Sequence, residues 1–279
     1  MKTWILTHRF TLARRVVQLS ILGLYMAANA YGFMLLSGNL SSSLVMGTIP
    51  LADPFAVLQM FAAGVLVGMD VLLGALIILL FYMVVGGRAF CSWVCPMNLV
   101  TDAANWTRKF FLLDRAVERK IWLSRNVRYW VLGLSIILSL TMGVAAFEML
   151  SPIGMLHRGL IFGMGMGGAA LLCIFLFDLF AVKHGWCGHI CPLGGFYSLV
   201  GRLSLVRVKH DHTVCTSCMK CKEVCPEKHV LGIVSKSSGT IVSGECTNCG
   251  RCVEVCESHA LFFGVRNYIN TNVGEKNDE

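Results

Sequence analysis

Long apolar runs separated by short polar or basic segments fill the first two thirds of the chain, and the last third changes to short apolar stretches between closely spaced cysteines. Four runs, 16–36, 66–85, 129–150 and 160–182, predict helices able to cross a hydrocarbon core of about 30 Å at a rise of about 1.5 Å per residue. Residues 39–54 are rich in glycine, serine and proline and read as an outer loop; 55–64 are apolar but too few to span. Residues 101–128 form a basic segment with helical stretches, and the polar tail 270–279 reads as disordered.

Composition strengthens the membrane reading. Of 279 residues 56% are hydrophobic and 14% charged, with a mean hydropathy of +0.66, which argues against a water-soluble globular chain. A net charge of +8 could point to nucleic acid, but the basic residues alternate with the apolar runs. Lys2, Arg9, Arg14 and Arg15 precede the first run, Arg88 to Arg128 lie between the second and third, and a further group follows the fourth. The intervening outer segments carry Arg158 alone, so by the excess of basic residues on the cytoplasmic side both termini are cytoplasmic in a multi-pass inner-membrane protein. Nucleic acid is thereby dropped as a partner and the lipid bilayer takes its place. Arg14-Arg15 before an apolar run reaching Ala28-Asn29-Ala30 also has the shape of a cleaved signal, but the run continues to Leu36, so the first span is read as uncleaved.

The thirteen cysteines are grouped. Cys215-x2-Cys218-x2-Cys221-x3-Cys225-Pro226 is followed by Cys246-x2-Cys249-x2-Cys252-x3-Cys256, with Glu257 where proline is usual. This is the spacing of a bacterial domain with two 4Fe–4S clusters, in which three close thiolates wrap one side of a cluster and the fourth arrives from the other run. One cluster is assigned to Cys215, Cys218, Cys221 and Cys256, the other to Cys246, Cys249, Cys252 and Cys225. Zinc would not need the third interval, and disulfides are disfavoured in the cytoplasm. The predicted fold is therefore an α-helical membrane protein with four transmembrane helices in a duplicated 2+2 arrangement over residues 1–206, followed by a small α+β two-cluster ferredoxin domain over 207–269.

Two further pairs, Cys91/Cys95 before Pro96 and Cys187/Cys191 before Pro192, repeat one CxxxCP motif after each pair of runs. Spaced i,i+4 on a helical turn, both thiols of a pair face one side. Four convergent thiols suit an iron–sulfur cluster, Cu(I), zinc or a reversible dithiol; the plainer alternative is small buried residues at tight helix ends. Cys173 reads as apolar filling. His157, His184 and His189 read as interfacial rather than haem ligands. Asp53, Asp70 and Glu148 are candidate proton acceptors from a quinol, with Asp178 at the opposite end; capping or snorkelling explains each equally well. No nucleotide loop, flavin signature or catalytic triad is visible, so no catalytic residue is assigned.

Cys91–Pro96, His184–Pro192, the two tail motifs and the segments 38–44 and 53–54 together resemble the NapH/MauN family of ferredoxin-type membrane proteins over nearly the whole chain. The resemblance implies an electron-transfer component of a quinol dehydrogenase, not a complete enzyme, passing electrons from quinol towards periplasmic nitrate reductase. Its implied partners are a NapG-like periplasmic ferredoxin-type subunit and a NapC-like tetrahaem cytochrome. The alternative is an assembly, maturation or metal-reducing factor for a respiratory reductase or oxidase.

Overall fold

The computed structural model describes residues 8–32, 35–111, 124–163 and 165–267; the polar tail 270–279 lies outside the described residues. Helix α1 (Arg9–Tyr31) stops at Gly32, whose left-handed φ of 68° lets its N–H reach the carbonyl of Ala28 at 3.1 Å. A three-stranded antiparallel meander follows, β1 (Leu36–Gly38), β2 (Ser42–Val45) and β3 (Ile49–Ala52). Helix α2 (Pro54–Ala62) starts as its sequence dictates: Pro54 occupies the first turn and the Asp53 side chain accepts from Phe55 N at 3.3 Å.

Helix α3 (Met69–Val85) leads to the short α4 (Ala89–Trp93) and then α5 (Met97–Phe110). Helices α6 (Val127–Met142), α7 (Ala146–Leu150), α8 (Pro152–Phe162) and α9 (Gly165–Phe180) precede a π-helical turn at Trp186–Ile190 and α10 (Pro192–Gly201). The C-terminal unit pairs β4 (Val206–His210) antiparallel with both β5 (Gly239–Thr240) and β6 (Leu261–Val265). Helices α11 (Lys220–Val224) and α12 (Arg251–Glu254) lie within its two cysteine runs.

The four expected spans are corrected. Among the described residues no helix is long and apolar enough to cross a membrane. Glycines break the apolar runs: the third ends at Gly143 in the left-handed region, and the fourth is divided at Gly163 with φ 98°. What remains in α3, α6 and α9 is 17, 16 and 16 residues, or about 24–26 Å against a core of about 30 Å. Helix α1 has 23 residues, but Arg14, Arg15 and Gln18 lie inside it. The four-span membrane fold class and the multi-pass inner-membrane placement fall with the spans.

The charge pattern behind the expected orientation has another cause. Arg14, Arg88, Arg108, Arg128 and Arg207 are all buried to within 2% of complete. They tie elements together: Arg14 and Arg15 pair with Asp102 of α5, Arg108 Nε donates to Leu179 O at 3.1 Å, and Arg207 donates to Ser243 O at 2.8 Å. Basic residues between apolar runs here are internal struts. The outward faces of α3 (Leu73, Leu76, Leu80) and α6 (Leu134, Ile137) stay apolar and exposed.

One apolar core joins Phe55, Tyr82, Phe90, Leu132, Ile153, Leu171 and Tyr197 around Cys95 and Cys191. A second gathers Val208, Leu231, Val234, Ile241 and Leu261 around Cys221 and Cys252. Both cores close on cysteines, and this brings the two parts of the chain to one seam.

Candidate iron–sulfur centres

Each CxxxCP motif is built alike. A short helical turn carries the first cysteine, and the Cys-Pro step then launches a longer helix: α4 into α5 for Cys91 and Cys95, the π-turn into α10 for Cys187 and Cys191. Cys95 and Cys191 are buried in the first core, with Cys91 and Cys187 packed against it. The four thiols are near enough to repel as thiolates, since Cys187 senses Cys191, Cys95 and Cys91, and Cys95 senses Cys91 and Cys191. Burial, followed by this repulsion, pushes Cys95 and Cys187 well above the ordinary thiol range, and burial takes Cys191 up to about 12. Only a strongly cationic occupant would hold such thiols ionised, and a soft metal centre meets that condition.

In the C-terminal unit the two runs cross. A small cavity is lined by Cys225, Cys246, Cys249 and Cys252 with Val208, Val230 and Leu231, so the last cysteine of the first run faces three of the second. Reciprocally, Cys221 senses Cys256 and Cys218. Burial raises Cys225, Cys246 and Cys252, and exposed Cys218 is lowered by the backbone N–H of Lys220. An apolar cradle with four thiols fits a 4Fe–4S cluster, which is thiolate-bound and tuned by burial. Glu257, in the place of the usual proline, receives Lys220 Nζ at 2.7 Å and so links the two runs at the surface.

Polar contacts fasten the two sets of cysteines together. Ser92 Oγ donates to Thr247 O at 2.7 Å and Trp93 Nε1 to Asn248 O at 3.1 Å, joining α4 to the loop between Cys246 and Cys249. Arg88 donates to Glu227 at 2.8 Å, to Glu245 O at 3.0 Å and to Cys187 O at 3.1 Å. One guanidinium thus touches the second CxxxCP motif and the residues beside both tail runs. Arg125 and Arg128 also face Glu227, and Arg128 meets Glu245 at 2.7 Å. Burial would raise Glu245, but His229 and Arg128 outweigh it and hold the carboxyl down at about 2. With three arginines beside it, the Glu227–His229–Glu245 group is an ion-pair network rather than a cation site.

The other candidate residues separate. Asp53 faces the first core, where Tyr197 OH donates to it at 3.1 Å, and burial raises it to about 7. Glu148 accepts from Ser41 Oγ, whereas Asp70 is exposed on the first turn of α3. Asp178 is fully buried, raised by burial to about 7, and accepts from Trp186 N at 2.9 Å, holding the turn that carries Cys187. His184 and His189 are buried and lowered by desolvation to about 3 and about 4; His157 packs edge-on against Tyr25 at 4.9 Å. Cys173 is exposed on α9, where apolar filling was expected.

Arg88, Glu227, Glu245 and Tyr197 carry the seam and the core, and none stands out in the sequence by residue type. Position is the available signal: Arg88 comes three residues before Cys91, and Glu227 directly follows Cys225-Pro226.

The model of a family described as a 4Fe-4S binding domain matches residues 67–121 and 164–209, and that of a 4Fe-4S dicluster domain matches 207–257. The methylamine utilization ferredoxin-type protein MauN of Methylorubrum extorquens is 44% identical over 85% of this chain and 83% of its own. The ferredoxin-type protein NapH of Escherichia coli is 42% identical over 82% of this chain and 79% of its own, and NapH of Haemophilus influenzae 43% identical over 82% and 78%. No solved structure matches. Cysteine runs, matching cluster-binding models and relatives of this closeness over most of the chain lead to one conclusion: the chain belongs to the NapH/MauN family of ferredoxin-type proteins, iron–sulfur proteins of electron transfer.

Proposed function

We propose that the chain is the iron–sulfur component of a quinol dehydrogenase, taking electrons from quinol and passing them towards periplasmic nitrate reductase through a NapG-like subunit and a NapC-like tetrahaem cytochrome. Cys215, Cys218, Cys221 and Cys256 hold one 4Fe–4S cluster and Cys246, Cys249, Cys252 and Cys225 the other. Cys91, Cys95, Cys187 and Cys191 hold a third iron–sulfur centre. The clusters supply one-electron acceptor and donor chemistry. The observation that carries the reading is the seam: α4, which bears Cys91, is hydrogen-bonded at Ser92 and Trp93 to the loop between Cys246 and Cys249.

The protein's own residues hold this arrangement. Arg88 fixes both CxxxCP turns against the tail unit, Asp178 anchors the second turn, and the apolar residues of both cores keep water from the thiols. The test is reduction of the purified, cluster-loaded chain by a short-chain quinol, followed by EPR under anaerobic conditions. The expected result is appearance of reduced-cluster signals in the wild type, and selective loss of one signal in Cys218→Ser. No reduction by quinol, with dithionite still reducing the clusters, would overturn the quinol reading and favour the assembly-factor alternative.

A further inference from the structure

A cavity of about 190 Å³ opens between α1, the β1–β3 meander, α3, α4 and α10. Ile21, Leu40, Ile78 and Val94 give it apolar walls, and Phe90, Tyr82 and Tyr197 give it an aromatic side. The rings are already ordered: Phe90 stacks on Tyr197 at 5.1 Å, and Tyr82 meets each edge-on at 5.8 and 5.3 Å. Into this space project a carboxyl, Asp53, bound to the Tyr197 hydroxyl, and the Tyr82 phenol. Tyr82 is 5% exposed and borders this space.

We infer that this cavity binds the aromatic head group of a hydroquinone, its ring against Phe90, Tyr82 and Tyr197 and its oxygens on Asp53 and the Tyr82 hydroxyl. The inference rests on the quinol reading above and gives it a place. An apolar cavity of about 150 Å³ is known to suffice for benzene, so the space here suits one substituted ring. Few convergent polar groups on mostly apolar walls are what such sites use to orient a ligand. Location supports it independently. Phe90 of α4 and Val94 just beyond it line the cavity, and they directly precede Cys91 and Cys95. A ring bound there would sit against the helix that carries the first CxxxCP motif and docks on the tail unit.

The experiment is equilibrium dialysis of the full chain with a short-chain dimethoxy-methyl-benzoquinol, alongside Tyr82→Phe, which removes only the hydroxyl, and Ile78→Trp, which fills the cavity. Tyr82→Phe should weaken binding about fivefold to tenfold, and Ile78→Trp should abolish it. Tyr82→Phe preserves the ring packing, so its effect stays readable even if the larger side chain disturbs folding. If the wild type binds the probe and both variants bind it equally well, the cavity is the wrong place while the quinol reading stands. If the wild type neither binds the probe nor is reduced by it, both fall. Binding lost in Ile78→Trp and weakened in Tyr82→Phe, with dithionite-reducible clusters intact in each, supports the site.

Discussion

At position 88 a guanidinium with 2% of its surface exposed has to be met by charge, because a buried unpaired cation is far more costly than the pair it belongs to. Glu227 answers it at 2.8 Å, and Arg125 and Arg128 share the same carboxylate. Arg88→Met should lower stability by about 3 kcal/mol, because Glu227 keeps part of its compensation from the other two arginines. Thermal unfolding of the cluster-loaded protein measures this. The double variant Arg88→Met/Glu227→Gln should lose at least about 1 kcal/mol less than the two single losses added, since the pair is coupled; strict additivity would show that the contact contributes nothing. None of this was legible beforehand. The sequence displays a basic residue beside an apolar run, and hydropathy alone cannot distinguish an arginine that marks sidedness from one buried 139 positions away from its partner. The cysteines were legible because cluster ligation demands short, fixed intervals within one stretch of chain.

At the scale of elements, the lesson lies in glycines. Averaging apolar character over 129–150 and 160–182 passes over Gly143 and Gly163, whose positive φ values end the helices there. Elsewhere glycine lets elements touch through backbone. A Cβ at Gly201 of α10 would stand 2.8 Å from Gly244 O, and one at Gly244 would run into Ser198 O, so α10 and the segment before Cys246 meet without side chains between them. Gly244→Ala must therefore move backbone. It should cost about 1–3 kcal/mol, the range for overpacking a close contact. Hydrogen exchange should also quicken at the amides of Arg202 and Cys246, which donate to Leu199 O and Ser243 O beside that contact. Alanine accepted there with unchanged exchange would mean that the seam is looser than its contacts indicate. The CxxxCP turns, by contrast, follow from sequence: proline after the second cysteine ends one turn and starts the next helix in both motifs.

For the molecule as a whole, the question is how many centres the two cores enclose. The tail runs account for eight cysteines and the CxxxCP pairs for four more, and the fold draws both sets to one seam held by Arg88, Ser92 and Trp93. Cys95 and Cys191 are buried in the first core and Cys91 and Cys187 pack against it, so four thiols from two matched turns converge where one soft metal centre would bind. Iron and acid-labile sulfide, measured per chain on anaerobically purified protein, should therefore come to about twelve of each if the third centre is also a four-iron cluster, and not about eight. Replacing Cys91, Cys95, Cys187 and Cys191 together by serine should remove about four irons and leave the tail signals in the EPR spectrum. Replacing Cys246, Cys249, Cys252 and Cys225 should remove a different four. A wild-type content of about eight, unchanged by the first set of substitutions, would confine iron to the tail and leave the CxxxCP pairs as two matched structural turns, joined to the cluster unit by hydrogen bonds and the Arg88–Glu227 ion pair.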